Sequence, residues 1–393
     1  MTQPVLFAWE LGDGLGHVSR LLRIAERLRE QGVRSVFAVR NMEPAGLLVD
    51  AAGFSVVPAP AARVGAIRGP DGTQPISAGD ILGAIGFASA ERLRALVAAW
   101  TCLIDMIAPA VVVTDYSPTA NLALYGGPVP WIPIGDSFSL PPFEVQHFPP
   151  FRNGRPAFDE DAMLEVVAAL QRARGRPAPV RLPQLFEGDE RFVVSLPELD
   201  PWRRLRSVPA VGPIPGLPAP VRSEPVDDYF AYLSDSFRFT ERVLEGLLAS
   251  GRSGSVFLRD ATAARRAEWR RRGLTMWDEP QDVIRMAERA AVIVHHGGIG
   301  LVEQGLGLGR PQLLVPRHFE QFRNADGIGR LGCGVALRGD GQFRVADVGA
   351  ALAAGSDKPE LRARAAEVAA VLSRRQWSAL EAVASACRRH LDA

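Results

Sequence analysis

The chain has 393 residues, of which 47% are hydrophobic and 23% charged, and its formal net charge is +1. This size and composition are typical of a soluble globular protein with two hydrophobic cores, and the near-neutral charge argues against nucleic acid as a partner. The three cysteines lack C-x-x-C spacing, and we find neither a signal peptide nor an apolar stretch long enough to span a membrane. We therefore expect a cytoplasmic protein without disulfides.

The amino-terminal residues predict a strand over residues 5–10, a glycine-rich turn, a helix and a second strand. A dinucleotide-binding turn would need a third glycine where this chain has His17, and an acidic residue after the second strand where it has Arg40. The turn, with Gly14 and Gly16, is therefore predicted to present His17 at the carboxyl end of the first strand.

His17 and Asp115 are candidates for an acid–base pair. Asp115 ends the apolar run over residues 110–114, which predicts another buried parallel strand. Because carboxyl ends of parallel strands meet at one edge of a sheet, we expect the two side chains to be close. A histidine there can take a proton from a hydroxyl near neutral pH if a carboxylate fixes its tautomer. The alternative is that both residues cap helices, with Asp115 before a helix over residues 118–124.

Two long segments, residues 59–86 and 129–156, are rich in proline together with glycine or aromatic residues. Loops of this length are either functional or disordered, and aromatic loops beside a catalytic site would suit an apolar or lipid-like acceptor. Surface loops without a role are the alternative. Asp159, Glu160 and Asp161 fit the D-x-D pattern of a metal site, but they precede a helical run, where acidic residues are favoured, so we expect no metal.

A proline-rich stretch over residues 213–220 marks the predicted domain boundary. The predicted parts are an amino-terminal domain over residues 1–212, a linker over 213–221, a carboxyl-terminal domain over 222–375 and a terminal helix over 376–393. That last part belongs to a long alanine- and arginine-rich helix predicted over residues 359–391. A basic helix over residues 263–272 would suit a membrane surface or a partner, or form a solvated face.

Residues 277–337 contain the densest set of candidate binding residues. Two short apolar runs, residues 292–294 and 312–315, each lead through a Gly- or Pro-marked turn into a helical pattern, which predicts consecutive β-α units of a buried parallel sheet. Glycines after His296 allow backbone N–H groups to approach a phosphate, and the following helix adds the positive end of its dipole. His296 can donate a further hydrogen bond. A glycine-rich turn with satisfied histidines is the alternative.

This segment resembles the nucleotide-sugar signature of GT-B glycosyltransferases of the UDP-glycosyltransferase (family 1) type. That signature contains a Trp, Pro-Gln, His-x-Gly before a helix with an acidic residue, Gly-x-Pro, and Asp or Glu followed by Gln and Asn-Ala. The chain has the same order at Trp277, Pro280-Gln281, His296-Gly297-Gly298, Gly309-Arg310-Pro311, Glu320-Gln321 and Asn324-Ala325. Gly16-His17 resembles the turn that carries the catalytic base of the plant-type enzymes, and Asp115 matches the aspartate paired with that base.

The resemblance implies a donor site for a sugar nucleotide. Its nucleotide- and phosphate-binding residues would be Gly14, Gly16, Trp277, Gln281, His296, Gly297, Gly298, Gly300, Leu301 and Gln304. In the family, the position of His296 contacts the phosphate next to the nucleoside, and that of Gln281 contacts the base edge. Glu320 and Gln321 match the pair that binds the donor sugar hydroxyls.

Three positions depart from the family pattern. Leu301 stands where Ser or Thr is usual, so that one hydroxyl contact to phosphate is missing while the backbone N–H remains. Gln304 replaces the ribose-binding acid, although an amide can still bond a ribose hydroxyl. Trp277 lies one residue further from Pro280 than in the plant pattern, which weakens the expectation that it stacks on the base.

The fold implied by the resemblance is α/β, with two Rossmann-like parallel-sheet domains facing across a cleft and a terminal helix that crosses back to the first domain. The implied reaction is an inverting, metal-independent transfer of a sugar from a UDP- or dTDP-sugar to a hydroxyl of a small-molecule, lipid or glycan acceptor. Asp115 would orient His17, and His17 would deprotonate the acceptor. No cofactor is expected.

Two alternatives to transfer stay open. The first is an epimerase or hydrolase of nucleotide sugars on the same scaffold. The second is a non-catalytic sugar-nucleotide-binding protein, which the departures at Leu301 and Gln304 would favour. Peripheral membrane contact also stays open.

Overall fold

The computed structural model describes residues 3–12, 14–62, 67–70, 72–337 and 343–392. It divides into two compact units, an amino-terminal unit formed by Met1–Pro215 with Ser378–Ala393 and a carboxyl-terminal unit formed by Gly216–Trp377. The division at Pro215 lies within the stretch that the sequence predicts as a linker. Each unit contains a six-stranded parallel sheet flanked by helices, so the predicted α/β class is confirmed.

The sheet of the amino-terminal unit has the strand order β3-β2-β1-β4-β5-β6. Its strands are β1 (Val5–Trp9), β2 (Ser35–Val39), β3 (Ser55–Pro58), β4 (Val111–Asp115), β5 (Trp131–Gly135) and β6 (Phe192–Val193). Its helices before the domain boundary are α1 (Gly16–Arg29), α2 (Leu47–Ala51), α3 (Ala78–Leu82), α4 (Ala90–Ile107), α5 (Pro118–Leu124) and α6 (Glu160–Ala173), with π-type turns at Met42–Gly46 and Gly83–Phe87 and 3₁₀ turns at Leu182–Phe186 and Arg203–Leu205. The segment predicted as a loop over residues 59–86 thus contains α3, while its residues 63–66 and 71 lie outside the described residues.

The sheet of the carboxyl-terminal unit has the order β12-β11-β10-β7-β8-β9. Its strands are β7 (Asp227–Ser234), β8 (Gly254–Arg259), β9 (Thr275–Trp277), β10 (Ala290–His295), β11 (Gln312–Leu314) and β12 (Gly334–Ala336). Its helices are α7 (Thr240–Ala249), α8 (Ala263–Arg272), α9 (Val283–Arg289), α10 (Ile299–Leu308), α11 (Phe319–Leu331), α12 (Val345–Asp357) and α13 (Pro359–Leu372).

Both sheets follow the same winding. When the strands of each unit are numbered from its own first strand, both orders become 3-2-1-4-5-6, the order of a doubly wound dinucleotide-type fold. The strand order reverses between β1 and β4 in one sheet and between β7 and β10 in the other. Trp9 lies opposite Asp115 across the first of these points, and Tyr232 lies opposite His295 across the second. Ligands of such sheets bind at the carboxyl ends of the strands at these two points.

The strands at these points are buried along their whole length, which explains why they appear in the sequence as continuous apolar runs. Every residue of β1, β4, β5 and β10 is buried. A parallel sheet covered by helices on both faces favours such runs over alternation of polar and apolar residues. The polar residues that end β4 and β10 are therefore exceptions that mark possible sites.

The helix predicted over residues 359–391 is two helices, α13 and α14 (Ala379–Leu391), so this prediction was wrong. The break coincides with the passage of the chain from the carboxyl-terminal to the amino-terminal unit. One straight helix cannot bury its apolar face in two separate cores. α14 contributes Val383 and Cys387 to the core of the amino-terminal unit, and Arg27 on α1 donates to Glu381 at 2.7 Å.

The basic helix α8 forms ion pairs within its own unit. Arg265 lies 3.2 Å from Glu268, and Arg270 lies 2.6 Å from Asp278. These pairs, on an exposed helix face, agree with the solvated-face alternative. Within the part of the chain that the structure describes, no helix is long and apolar enough to cross a membrane.

We expect Val383→Asp to destabilise the amino-terminal unit by about 3 kcal/mol or more, because it places a carboxyl group in an apolar core. Urea unfolding followed by tryptophan fluorescence would measure this. Ser385→Asp introduces the same side chain on the exposed face of the same helix and should change stability by less than about 0.5 kcal/mol. Equal effects of the two substitutions would contradict the packing of α14.

Candidate active site

His17 and Asp115 are in contact at the carboxyl ends of β1 and β4. His17 Nδ1 lies 2.8 Å from Asp115 Oδ1, and the Asp115 side chain is fully buried while that of His17 is 12% exposed. An ionised carboxylate can only accept a hydrogen bond, so the imidazole proton is on Nδ1 in the neutral ring. The other ring nitrogen, Nε2, is then the basic atom.

The glycine turn determines where the His17 ring lies. Gly12 has a φ of +95°, and a Cβ atom added there would be 2.5 Å from His17 Nε2. A side chain at position 12 would therefore displace the ring as well as strain the backbone. Gly14 also has a positive φ, and Gly16 begins α1. The turn thus positions the histidine, and Gly14 and Gly16, which the resemblance assigns to phosphate binding, lie in and directly after this turn.

Arg20 is a third member of this group that the sequence analysis missed. Its Nε lies 3.1 Å from Asp115 Oδ2, and its Nη2 lies 3.4 Å from His17 Nδ1. The available signal was its position three residues after His17, since residues three apart share a face of a helix. One carboxylate oxygen therefore meets the imidazole, and the other meets the guanidinium.

These contacts set the charge states of the pair. Burial by itself lowers the pKa of His17, but the charge and hydrogen bond of Asp115 outweigh it, so the pKa of His17 is raised above its ordinary value. Arg20 opposes this rise and Asp136 adds to it. Burial would raise the pKa of Asp115, yet Arg20 and His17 together lower it. Asp115 is therefore an anion throughout the neutral range.

Aromatic rings surround His17. The centroids of Trp9 and Tyr116 lie 5.7 Å and 6.0 Å from the imidazole, with interplanar angles of 19° and 29°. Phe138, from the loop after β5, packs edge-on against Tyr116 with a centroid distance of 6.2 Å. Tyr116 has a φ of +48°, unusual for a bulky residue, and its carbonyl accepts from Leu11 N–H at 3.0 Å. The base thus has an apolar, partly open aromatic wall.

His296 lies at the carboxyl end of β10, as predicted, but both of its ring nitrogens are already hydrogen-bonded. Its Nε2 accepts from Ser234 N–H at 2.9 Å, and its Nδ1–H donates to Val315 carbonyl oxygen at 2.8 Å. Burial lowers its pKa to about 3, so the ring is neutral. A phosphate contact of the His296 ring, which the resemblance implies, would therefore require one of these two backbone hydrogen bonds to be released.

The turn after His296 is held by neighbouring signature residues. His295 Nδ1 accepts from Gly297 N–H at 3.1 Å, and its Nε2 donates to Gln312 at 2.9 Å. Asn324 donates to Gly297 carbonyl oxygen at 2.9 Å. Gly297 itself has a φ of +88°. The Asn-Ala part of the signature thus fixes the loop shape, and Gly297 N–H is not available to a phosphate.

The start of α10 offers backbone donors. Gly298 caps the helix without a side-chain hydrogen bond, and the first intrahelical bond runs from Val302 N–H to Gly298 carbonyl oxygen at 3.1 Å. The N–H groups of Ile299, Gly300 and Leu301 therefore precede the hydrogen-bond ladder, and the first turn has no acidic residue. Helix starts of this kind bind anions. The Leu301 side chain packs in an apolar cluster, so only the backbone N–H of this residue can bind an anion.

Other residues predicted to bind the sugar nucleotide also lie in the carboxyl-terminal unit, where they contact neighbouring residues. Trp277 ends β9 and packs against the cluster of Phe230, Phe257 and Ala290. Gln281 donates to Glu279 carbonyl oxygen at 3.1 Å, and Gln321 accepts from Arg317 N–H at 2.9 Å.

Gln304 and Glu320, two further predicted binding residues, lie on helices of the carboxyl-terminal unit. Gln304 lies half-buried in α10, and Glu320 lies in the first turn of α11. Asp159 caps α6 by accepting from Asp161 and Ala162 N–H groups, as a helix start would require. Among the described residues, no three His, Cys, Asp or Glu side chains are grouped to hold a metal ion.

We predict opposite changes in the pKa of His17 for substitutions of its two partners. Asp115→Asn removes the carboxylate charge, so that burial dominates and the pKa of His17 falls. Arg20→Gln removes a nearby cation, so that the pKa rises further. An NMR titration of the His17 Cε1–H resonance would measure both.

His147 provides a control in the same titration. It lies 3.0 Å from Asp161, whose hydrogen bond raises its pKa. Asp161→Asn should lower the pKa of His147 and leave His17 unchanged, while the substitutions at Asp115 and Arg20 should leave His147 unchanged. If Asp115→Asn and Arg20→Gln shifted the pKa of His17 in the same direction, the result would contradict these contacts.

Comparison with known proteins finds a family model that matches part of the chain. Residues 282–378 match the family model "Erythromycin biosynthesis protein CIII-like, C-terminal domain". Glycosyltransferase GtfC of Amycolatopsis orientalis is 39% identical over 84 residues, which are 21% of this chain and 20% of that protein. The chain thus spans about a fifth of the length of the curated relatives that it matches.

Solved structures extend the similarity to both units. CalG4, the calicheamicin glycosyltransferase, is 18% identical with a TM-score of 0.70, covering 100% of this chain and 98% of the other. SsfS6 of Streptomyces sp. SF2575, a glycosyltransferase complexed with thymidine diphosphate, is 21% identical with a TM-score of 0.60, covering 99% and 100%. These similarities confirm the fold that the signature implied. The chain therefore has the GT-B fold, and its residues 282–378 match the EryCIII-like C-terminal domain.

Proposed function

We propose that this protein is an inverting, metal-independent glycosyltransferase that moves a sugar from a UDP- or dTDP-sugar to an acceptor hydroxyl. The observation that carries the proposal is the contact of 2.8 Å between His17 Nδ1 and the buried carboxylate of Asp115. In the neutral form of this histidine Nε2 is the basic atom, and the anion beside it stabilises the imidazolium formed after proton transfer. Among relatives, the proposal is supported by the glycosyltransferases that match the chain.

The reaction follows from these atoms. His17 Nε2 takes the proton of the acceptor hydroxyl, and the oxygen attacks the anomeric carbon of the donor sugar. The bond between that carbon and the diphosphate oxygen breaks, and its electron pair leaves with the diphosphate. Attack on the face opposite the leaving group inverts the anomeric configuration. Asp115 stays ionised and holds Nδ1–H throughout, as the aspartate of a catalytic triad does.

The carboxyl-terminal unit would bind the donor. The N–H groups that begin α10 and the positive end of its dipole suit the diphosphate, whose negative charge increases as the sugar leaves. A thymidine diphosphate complex of the similar SsfS6 supports a diphosphate nucleotide as ligand. Fixed dipoles of this kind can stabilise the leaving group without a metal ion.

The aromatic wall around His17 suggests an acceptor with an apolar body. Tyr116 and Phe138 are partly exposed beside the base and offer ring faces and edges rather than charges. Such surfaces favour apolar or planar ligands over highly hydroxylated glycans. We therefore rank small apolar or lipid-like alcohols and phenols first among acceptors.

A second candidate is a protein that binds a sugar nucleotide without transferring the sugar. The occupied nitrogens of His296 and the absence of a hydroxyl at Leu301 remove two expected phosphate contacts. This candidate keeps nucleotide binding but has no use for the His17–Asp115 pair. Turnover with any acceptor would exclude it.

We expect His17→Ala to lower kcat by about 10²- to 10⁴-fold while leaving the Kd of the donor nucleotide unchanged, because the base acts only on the acceptor. His147→Ala removes another histidine that meets a carboxylate, but an exposed one, and should leave kcat unchanged. Full transfer activity of His17→Ala with an identified donor and acceptor would rule out the mechanism.

Thermal-shift titration with UDP, dTDP and GDP, with magnesium and then with EDTA, should show stabilisation by UDP or dTDP that EDTA does not abolish. At 100 times the Kd, a ligand adds about 2.7 kcal/mol of stability. Stabilisation that disappears with EDTA would instead indicate a metal-bridged diphosphate, and stabilisation by none would argue against both candidate functions.

A further inference from the structure

Arg317 reaches across the carboxyl end of β10. It follows β11, and its Nη2 donates to Ser236 Oγ at 3.2 Å, while Ser236 follows β7. In the sheet, β10 lies between β11 and β7. The side chain therefore passes over the end of the strand from which His296 and the glycine turn emerge, at the point where the strand order reverses.

Contacts around His296 place the guanidinium close to its ring. Ser234, two residues before Ser236, donates its N–H to His296 Nε2, and Val315, two residues before Arg317, accepts from His296 Nδ1. Phe237 packs edge-on against the imidazole with a centroid distance of 5.2 Å. After burial, which is the main cause, the charge of Arg317 contributes to the low pKa of His296. The cation and the neutral ring thus share one end of the sheet.

Ser236, which accepts from Arg317, belongs to a chain of hydrogen bonds at this end of the sheet. Asp260 accepts from Ser234 Oγ at 3.0 Å, and Arg259 Nε lies 3.2 Å from the same carboxylate oxygen. Ser234 Oγ and Ser236 Oγ are 2.8 Å apart. Serine hydroxyls therefore link Asp260 to Ser236, which in turn accepts from Arg317 and orients its guanidinium.

We propose that Arg317 binds the diphosphate of the sugar-nucleotide donor and supplies the positive charge that the neutral, fully hydrogen-bonded His296 cannot supply. A guanidinium pairs with phosphate oxygens through two parallel N–H groups, and Arg317 lies at the end of β10, the strand that leads into the turn before α10. The inference rests on the proposed donor site and extends it by naming the cation of that site.

The test compares binding of nucleoside diphosphate with binding of the nucleoside alone. Calorimetry would give the Kd of UDP and dTDP, and ligand-observed NMR would give that of uridine and thymidine. Arg317→Gln should weaken binding of the diphosphates by about 10- to 100-fold and leave nucleoside binding unchanged. Arg317→Lys keeps the charge without the planar fork, so its effect should be intermediate.

Arg330→Gln is the matched control. Arg330 lies exposed in the last turn of α11, and its substitution removes the same charge by the same change. It should leave diphosphate binding unchanged. Nucleoside binding by each variant also reports that its site is folded.

The outcomes separate this inference from the proposed function. If the unaltered protein binds neither diphosphate, the proposed function fails and the inference fails with it. If the unaltered protein binds and Arg317→Gln binds equally well, only the inference is overturned. If Arg317→Gln weakens nucleoside and diphosphate equally, Arg317 has a structural role and the inference is again overturned.

Discussion

The buried carboxylate of Asp115 is the constraint on which the amino-terminal site depends. An anion at the end of a fully buried strand is unfavourable unless positive charge and hydrogen bonds compensate it. Both compensating groups, His17 and Arg20, come from consecutive turns of α1, so the helix must begin where the glycine turn places it. The strand, the turn and the start of the helix therefore fold so that the charge of Asp115 is compensated. The same contacts fix the tautomer of His17.

The two units each have a histidine near the point where the strand order reverses, and its chemical state differs between them. His17 contacts a carboxylate, which raises its pKa, whereas His296 is hydrogen-bonded to backbone groups, and burial together with nearby cations lowers its pKa. The first is suited to gain a proton, and the second cannot gain one near neutral pH. A histidine in a glycine-rich signature thus does not carry a fixed role, because its partners decide whether it is a base or a support for the loop.

The sequence allowed the parallel α/β fold and the meeting of His17 with Asp115 to be predicted, since apolar runs and strand ends are local patterns. The role of Arg20 was not predicted, because an arginine on an amphipathic helix usually faces solvent, and only the fold shows which face is turned to Asp115. The partners of His296 are backbone atoms of Ser234 and Val315. Because nearly every residue has these backbone groups, the sequence does not indicate which of them will bond to the ring. The break between α13 and α14 likewise depends on two cores that no single window of sequence represents.

The return of α14 to the amino-terminal unit determines the order in which the protein can be completed during synthesis. The core around β1 and β4 includes side chains of Val383 and Cys387, which lie far along the chain from those strands. The carboxyl-terminal unit, Gly216–Trp377, is synthesised entirely before them. The amino-terminal unit therefore cannot complete its core before the carboxyl-terminal unit has been synthesised, and until then its apolar face against α14 is open to water, chaperones or other chains.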